Sequence, residues 1–192
     1  MGQMMAWFRE QWVYKKFRVL TAVMVALSLI LGMEFYLFQY GFLKIIRYYI
    51  LVWALAAIAW IDQGSKRIPN KALLVLLIIR TMILVLECLL YHGYWMSILM
   101  SAGAGLLFAG GMFLLCFLIS RGGMGAGDVK LSAMLGYYMG GGAVFTAIFL
   151  TVLSAAVYSA IALLMKKATL KQEIPFAPFV LAGALMTIML GV

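Results

Sequence analysis

Long apolar segments separated by short polar ones dominate the hydrophobic pattern of this chain. Six of them are candidates to cross a bilayer, which takes a helix of roughly 20 residues with a range widened by tilt or partial burial: 19–42, 48–61, 71–91, 95–119, 143–165 and 175–192. A seventh, 128–140, is apolar but short, and the glycines at 140–142 end it because glycine lets the backbone reverse easily. The pattern predicts an all-α, polytopic bundle of about seven transmembrane helices, one of them short.

The composition supports an integral membrane protein. Hydrophobic residues make up 67% of the 192 residues, and the mean hydropathy is +1.09, far above the values of soluble domains. The N-terminal stretch lacks the short apolar core and the small-residue cleavage site of a secretory signal. Cys88 and Cys116 lie inside apolar runs without metal-ligand spacing, so we expect two free thiols, no metal and no cofactor.

The distribution of basic residues predicts the orientation in the membrane. With seven crossings, only Lys44 and Arg47 fall on one side. Twelve basic residues fall on the other side: Arg9, Lys15, Lys16, Arg18, Lys66, Arg67, Lys71, Arg121, Lys130, Lys166, Lys167 and Lys171. The positive-inside rule then predicts a cytoplasmic N-terminus and a C-terminus outside. Topology and contact with anionic lipids explain the net charge of +9, so no nucleic-acid partner is expected.

Two of the six acidic residues are predicted at one membrane depth. Asp62 closes the second apolar segment and Asp128 opens the short one, both at the cytoplasmic ends of their helices. Acids near the membrane usually face the protein interior or a watery cavity. Two neighbouring carboxylates can share one proton, one acting as base toward water and the other as acid toward a carbonyl. This arrangement is typical of an aspartic protease.

A simpler interpretation gives both acids a structural role. Asp128 stands where a helix favours a carboxylate cap, and Asp62 could end its helix in solvent, paired with Lys66. Gly125 and Gly127 favour the catalytic interpretation, because missing side chains permit positive φ and close approach of a substrate backbone.

At these residues the chain resembles the type IV prepilin peptidases, which belong to the GxGD membrane aspartyl proteases. The resemblance lies in three blocks, "IDQGSKRIPN" at 61–70, "GAGDVKL" at 125–131 and "IPFAPFVLAG" at 174–183, and it covers roughly residues 48–192. It implies a peptidase-like membrane domain over 48–192, with a cytoplasmic segment and the first transmembrane helix at 1–47. It also implies that Asp62 and Asp128 are the catalytic pair and that Gly125 and Gly127 shape the approach to it.

The resemblance further implies the reaction and its place. Enzymes of this family cut short basic leader peptides from prepilins and pilin-like secretion proteins, at the cytoplasmic face of a bacterial or archaeal cell membrane. Ala177 stands where the family often has glycine, and the chain has neither the large cytoplasmic loop nor paired cysteines. It therefore resembles the compact form that cleaves only, with methylation absent or done by another protein.

Rival functions rest on other residues. Presenilin-like proteases share the GxGD motif, but Ile61 replaces the tyrosine expected before the first acid and no "PAL" follows. Arg80 lies near mid-bilayer, with Glu34 and Glu87 at a similar depth further out. An Arg80–Glu34 or Arg80–Glu87 pair is the simple interpretation, and a small transporter or channel is the alternative. A third possible function is that of a non-catalytic subunit of a secretion assembly. Gly103 and Gly111, together with Ala104 and Ala109, are predicted to form close helix contacts.

Overall fold

The computed structural model describes residues 2–120, 123–165 and 174–191, and the side chains of 2–17 and 20 lie outside this description. In these ranges the chain is all-helical, as predicted. Its six helices are α1 (Gly2–Leu37), α2 (Phe42–Ser65), α3 (Asn70–Leu90), α4 (Trp95–Ile119), α5 (Ala126–Leu164) and α6 (Ala177–Met189). A 3₁₀ turn, His92–Tyr94, links α3 to α4.

The chain divides into two compact units. The first, residues 1–39, contains α1, in which the Ser28 hydroxyl donates a hydrogen bond to the Met24 carbonyl. The second, residues 40–192, contains α2 to α6 and holds all the residues of the predicted catalytic site. The functional division at residue 47 stays a prediction.

Four helical stretches are long and apolar enough to cross a membrane: Phe42–Ser65, Asn70–Leu90, His92–Ile119 and Ala126–Leu164. Thr21–Leu37 and Ala177–Met189 are shorter apolar helices. Large apolar side chains on the outside of the second unit, such as Leu107 and Leu118, are exposed. An apolar exterior of this extent indicates lipid contact, so the chain is a multi-pass membrane protein.

Helix α5 consists of two helical segments joined at Gly140, where φ is +78° and ψ is 173°. In a straight helix Val129 and Ile148 would lie ~28 Å apart. Both nevertheless pack against the same cluster, which contains Ala109 and Phe113 of α4. The chain therefore reverses at Gly140. The predicted short segment and its successor are confirmed as the two parts of α5, which gives seven helical segments in the described residues.

The closest contact between α4 and α5 uses glycines other than those predicted. A Cβ at Gly105 would run into the Gly136 carbonyl oxygen, and a Cβ at Gly136 would run into that of Gly105. A Cβ at Gly103 or Gly111 would meet nothing within 4 Å, so the predicted contact role of these two was wrong. The role predicted for Ala104 and Ala109 is confirmed, because their Cβ atoms lie against Gly141 and Gly136 of α5. The sequence pattern did not show which side of α4 faces α5.

Several basic residues of the topology argument fall outside the description: the side chains of Arg9, Lys15 and Lys16, and residues Arg121, Lys166, Lys167 and Lys171. The inward or outward orientation of the bundle therefore stays a prediction. Cys88 and Cys116 are both free.

Candidate functional site

One cavity brings together the residues of all three sequence blocks. It has a volume of about 630 Å³ and contains both predicted catalytic residues, Asp62 and Asp128. Its walls come from the α2–α3 loop, the start of α5 and the segment before α6. The polar residues on these walls lie at one end of the second unit, where α2 ends and α5 begins.

Asp62 lies in the last turn of α2 and is 4% exposed. Its Oδ2 accepts a hydrogen bond of 3.0 Å from the backbone N–H of Ala177. The ion pair with Lys66 that the structural interpretation allowed is absent, since the salt bridges of the described residues both involve Glu87. The carboxylate is thus held by a backbone dipole rather than neutralised by a cation.

The contact from Ala177 depends on how α6 begins. Phe176 precedes α6, and its ring packs on the ring of Phe113 with 5.4 Å between centroids. Pro178 follows in the first turn, where its missing N–H leaves no donor unsatisfied. Ala177 itself is fully buried. These neighbours fix the segment that presents the Ala177 N–H to Asp62.

Asp128 lies in the first turn of α5 and reaches back to the chain that precedes it. Its Oδ2 accepts a hydrogen bond of 3.1 Å from the backbone N–H of Gly125, and its own N–H donates to the Gly125 carbonyl at 3.0 Å. Asp128 therefore stabilises the helix start, as the structural interpretation expected, but from the third helical position of a capping box whose N-cap is Gly125. Asp128 and Asp62 line the same cavity.

The two glycines before Asp128 have different surroundings. Gly125 has φ −78° and ψ 142°, an extended conformation that needs no glycine, but a Cβ there would lie 3.3 Å from the Asp128 Oδ2. At Gly127 a Cβ would lie 3.1 Å from the Cβ of Ile68. Positive φ is thus not the reason for Gly125. The reason is instead the close approach of the Asp128 carboxylate to Gly125. Gly127 lets Ile68 of the α2–α3 loop pack tightly on α5.

A side-chain hydrogen bond crosses the mouth of the cavity. Lys130 Nζ donates to Asn70 Oδ1 at 3.0 Å, joining the first turn of α3 to α5. The sequence analysis counted Lys130 only as one of the twelve basic residues and did not predict this hydrogen bond. It also missed the Ala177 N–H, although both partners stand in the blocks that carried the resemblance.

Arg80 lies midway along α3 and pairs with Glu87, one of its two predicted partners, which is closer to the other end of the second unit. Arg80 Nη1 lies 2.9 Å from one carboxylate oxygen of Glu87, and Arg47 Nη1 lies 3.0 Å from the other. Arg80 Nε also donates to the Tyr137 carbonyl at 3.0 Å. The involvement of Arg47 was not predicted, because Arg47 had been counted only as an outer basic residue.

Comparisons with known proteins identify a family for this chain. Residues 49–160 match the type IV leader peptidase family. Over 97 residues the chain is 36% identical to the prepilin leader peptidase/N-methyltransferase of Bacillus subtilis (strain 168). That match covers 50% of this chain and 38% of the relative, so the chain spans well under two thirds of the relative's length. No solved structure matches the chain significantly.

The family match and the described cavity overlap. The matched region is more than half of the 192 residues and contains both Asp62 and Asp128. It also contains the reversal at Gly140 and the close contact of α4 with α5. From this coverage we conclude that the chain belongs to the type IV leader peptidase family.

Proposed function

We propose that the protein is a membrane-embedded aspartic endopeptidase, with Asp62 and Asp128 as its catalytic residues. The observation that supports this most strongly is the placement of the two carboxyl groups. They line one cavity, and neither of them forms an ion pair among the described residues, although Lys66, Arg67 and Lys130 line the same cavity. Two acids that face one cavity without direct ion pairs are costly to place, and such groups concentrate at functional sites.

The pair supplies both proton transfers that peptide hydrolysis needs. With one proton between them, the ionised carboxylate removes a proton from water while the water oxygen attacks the peptide carbonyl carbon. The protonated carboxyl donates to the carbonyl oxygen as that carbon becomes tetrahedral. Collapse of the intermediate breaks the C–N bond, and a proton passes to the leaving amine. The N–H groups of Ala177 and Gly125 hold the two carboxyl groups during these steps.

The glycine-rich approach to Asp128 fits a substrate bound in extended form. Gly123, Gly125 and Gly127 line the cavity without side chains, which leaves backbone accessible to a peptide. Extended peptides are held mainly through main-chain hydrogen bonds, so a bare backbone suits recognition with little side-chain selectivity. Gly125 and Gly127 are therefore proposed to shape the approach of the scissile bond.

The proposed substrate is a prepilin or pilin-like secretion protein, cut between a short basic leader and an apolar segment. An apolar groove of about 910 Å³ supports this choice, because it adjoins the carboxylate cavity and shares Ile174 and Pro175 with it. It runs between the second segment of α5 and α6, past Val157 and Ala182. We assign this groove to the apolar segment of the substrate, while the leader lies toward the water.

The groove assignment has its own test. Ala182→Phe should raise KM for an intact prepilin but leave cleavage of a short leader peptide without the apolar segment unchanged. Ala160→Phe, at an exposed alanine of α5 that does not line the groove, is the matched control. If both substrates were affected equally, the groove would not bind the apolar segment.

The catalytic assignment is tested with carboxylate-to-amide variants. Asp62→Asn and Asp128→Asn should each slow cleavage of a purified prepilin by about 10²–10⁴-fold, because an amide cannot act as general acid or base. The cap at Asp128 should survive, since an asparagine oxygen can still accept from Gly125. Glu34→Gln is the control and should retain activity. Normal turnover by either Asn variant would exclude an aspartic mechanism, and activity lost only on changing Arg80 would favour a transporter.

The proposed site faces the cytoplasm, and reporter fusions test this. A fusion after Leu190 should report an outside location, whereas one placed near Lys66 should report the cytoplasm, as the positive-inside rule requires. Cytoplasmic activity of the first fusion would overturn this orientation. Such a result would leave the cleavage chemistry itself untouched.

A further inference from the structure

A second cavity, of about 400 Å³, lies at the end of the second unit opposite the carboxylate pair. It opens between the N-terminal end of α2, the C-terminal end of α3, α4 and the reversal in α5. Lys44, Arg47, Arg80 and Glu87 line it, together with Ser97 and Ser101. Along α2, Lys44 stands ~27 Å from Asp62, so this cavity is separate from the proposed active site.

The charges on the cavity wall do not balance. Three cations face one carboxylate, and both oxygens of that carboxylate are already engaged, one by Arg47 and one by Arg80. Lys44 forms no ion pair among the described residues; its Nζ lies 4.0 Å from the ring centroid of Tyr40. The wall therefore carries an excess of two positive charges.

The hydrogen-bond inventory shows the same imbalance. Arg47 Nε is buried and has no acceptor in the described part of the chain. The Ser101 hydroxyl accepts from the Gly141 N–H, which leaves its own hydrogen free to donate. Arg80, by contrast, is fastened by Glu87 and the Tyr137 carbonyl. Donors thus exceed acceptors on the side of the cavity formed by α2 and α4.

This imbalance distinguishes a binding site from a purely structural cluster. One arginine would be enough to neutralise Glu87, and a second cation near the membrane interior is costly unless something compensates it. Clusters of arginine and lysine between transmembrane helices, with several free donors, are suited to phosphate oxygens and lipid headgroups. We propose that this cavity binds a phosphate-bearing anion, either the headgroup of an anionic lipid or a free phosphate.

The test uses the full chain, purified in a neutral detergent. It is titrated separately with dihexanoyl-phosphatidylglycerol, with inorganic phosphate and with zwitterionic dihexanoyl-phosphatidylcholine, and binding is followed by calorimetry. The wild type should bind at least one of the two anionic probes saturably, with one site per chain. Phosphatidylcholine, whose headgroup is neutral overall, should bind more weakly.

Variants connect that binding to this cavity. Lys44→Gln and Arg47→Gln should each weaken it about tenfold or more, because each removes a charge-assisted hydrogen bond. Lys71→Gln, an exposed lysine outside both cavities, is the matched control and should bind as the wild type does. If Arg47→Gln does not fold, Lys44→Gln decides, because Lys44 takes part in no ion pair of the described residues.

The outcomes separate the two sources of the anion. Saturation by the lipid alone identifies a headgroup site, and saturation by inorganic phosphate identifies a site for free phosphate. The absence of saturable binding by both anionic probes would overturn the proposal. An equal loss in Lys71→Gln would also overturn it, because the attraction would then be general to the basic surface.

Discussion

The second unit carries a cluster of charged side chains at each end, and the two clusters are built on opposite principles. At one end the like charges Asp62 and Asp128 line one cavity, and each accepts a hydrogen bond from a backbone N–H, that of Ala177 or that of Gly125. At the other end Glu87 lies between two guanidinium groups, with both of its oxygens paired. The same helices, α2 and α5, contribute to both.

The difference indicates which cluster serves folding and which serves chemistry. Opposite charges in contact compensate the cost of leaving water, whereas like charges add to it. An arrangement that opposes folding is retained only if something else requires it, and proton transfer is such a requirement. The Arg47–Glu87–Arg80 cluster fastens α2, α3 and α5 together. The two carboxyl groups form no comparable set of ion pairs between helices in the described part of the chain.

The largest expected effect on stability comes from breaking the opposite-charge cluster. Glu87→Gln leaves two guanidinium groups without a counter-charge and should destabilise the protein by about 3–5 kcal/mol. Asp62→Asn removes one of two like charges and should change stability by less than about 1 kcal/mol, since the Ala177 hydrogen bond can persist. Thermal unfolding in detergent measures both. Equal destabilisation would mean that Asp62 is mainly structural.

An intermediate effect is expected where α4 passes between the two ends. Gly136→Ala forces a methyl group against the Gly105 carbonyl and should cost about 1–3 kcal/mol by overpacking. The matched substitution Gly103→Ala adds its methyl group in open space and should be neutral or slightly stabilising. Comparable unfolding midpoints for these two variants would contradict the close α4–α5 contact.

The smallest effect belongs to the hydrogen bond at the mouth of the carboxylate cavity. Asn70→Ala removes the acceptor of Lys130 and should cost about 0.5–1.5 kcal/mol at most, because Lys130 and Asn70 are both exposed. Cleavage by this variant should fall by no more than about tenfold. A loss of cleavage rate as large as that of Asp128→Asn would instead indicate that Asn70 takes part in catalysis.

Periodicity and composition predicted most of the fold because lipid imposes length and apolarity on every spanning helix. The short segment before the glycines at 140–142 was predicted from its length, and the reversal at Gly140 confirms it. The side of each helix could not be predicted in the same way. Lipid-facing and buried residues are equally apolar in α4, so the sequence does not distinguish Gly103 from Gly105.

The acidic residues of the candidate site could be predicted from the sequence because acids are rare in this chain. Asp62 and Asp128 stood out against apolar neighbours, and their equal depth followed from the basic loops. The N–H of Ala177 could not be predicted, because every residue but proline carries that donor and its contact with Asp62 spans 115 positions. Arg47 was missed for a related reason, since its partner Glu87 lies on another helix.

The first segment of α5, which ends at Gly140, is attached in such a way that a small tilt would displace Asp128. Near Gly140 the Tyr137 carbonyl is bound to Arg80, and the Tyr138 hydroxyl donates to the Leu76 carbonyl at 2.9 Å, so this end is pinned to α3. Asp128 stands near the other end, which the exposed Lys130–Asn70 hydrogen bond and the packing of Gly127 on Ile68 hold in place. A tilt of about 3° over the ~20 Å of such a segment displaces its tip by ~1 Å. A misplacement of that size can cost ~10²-fold in rate. A displacement of α5 near Tyr137 and Tyr138 would therefore change the distance between Asp62 and Asp128 without any contact with either aspartate.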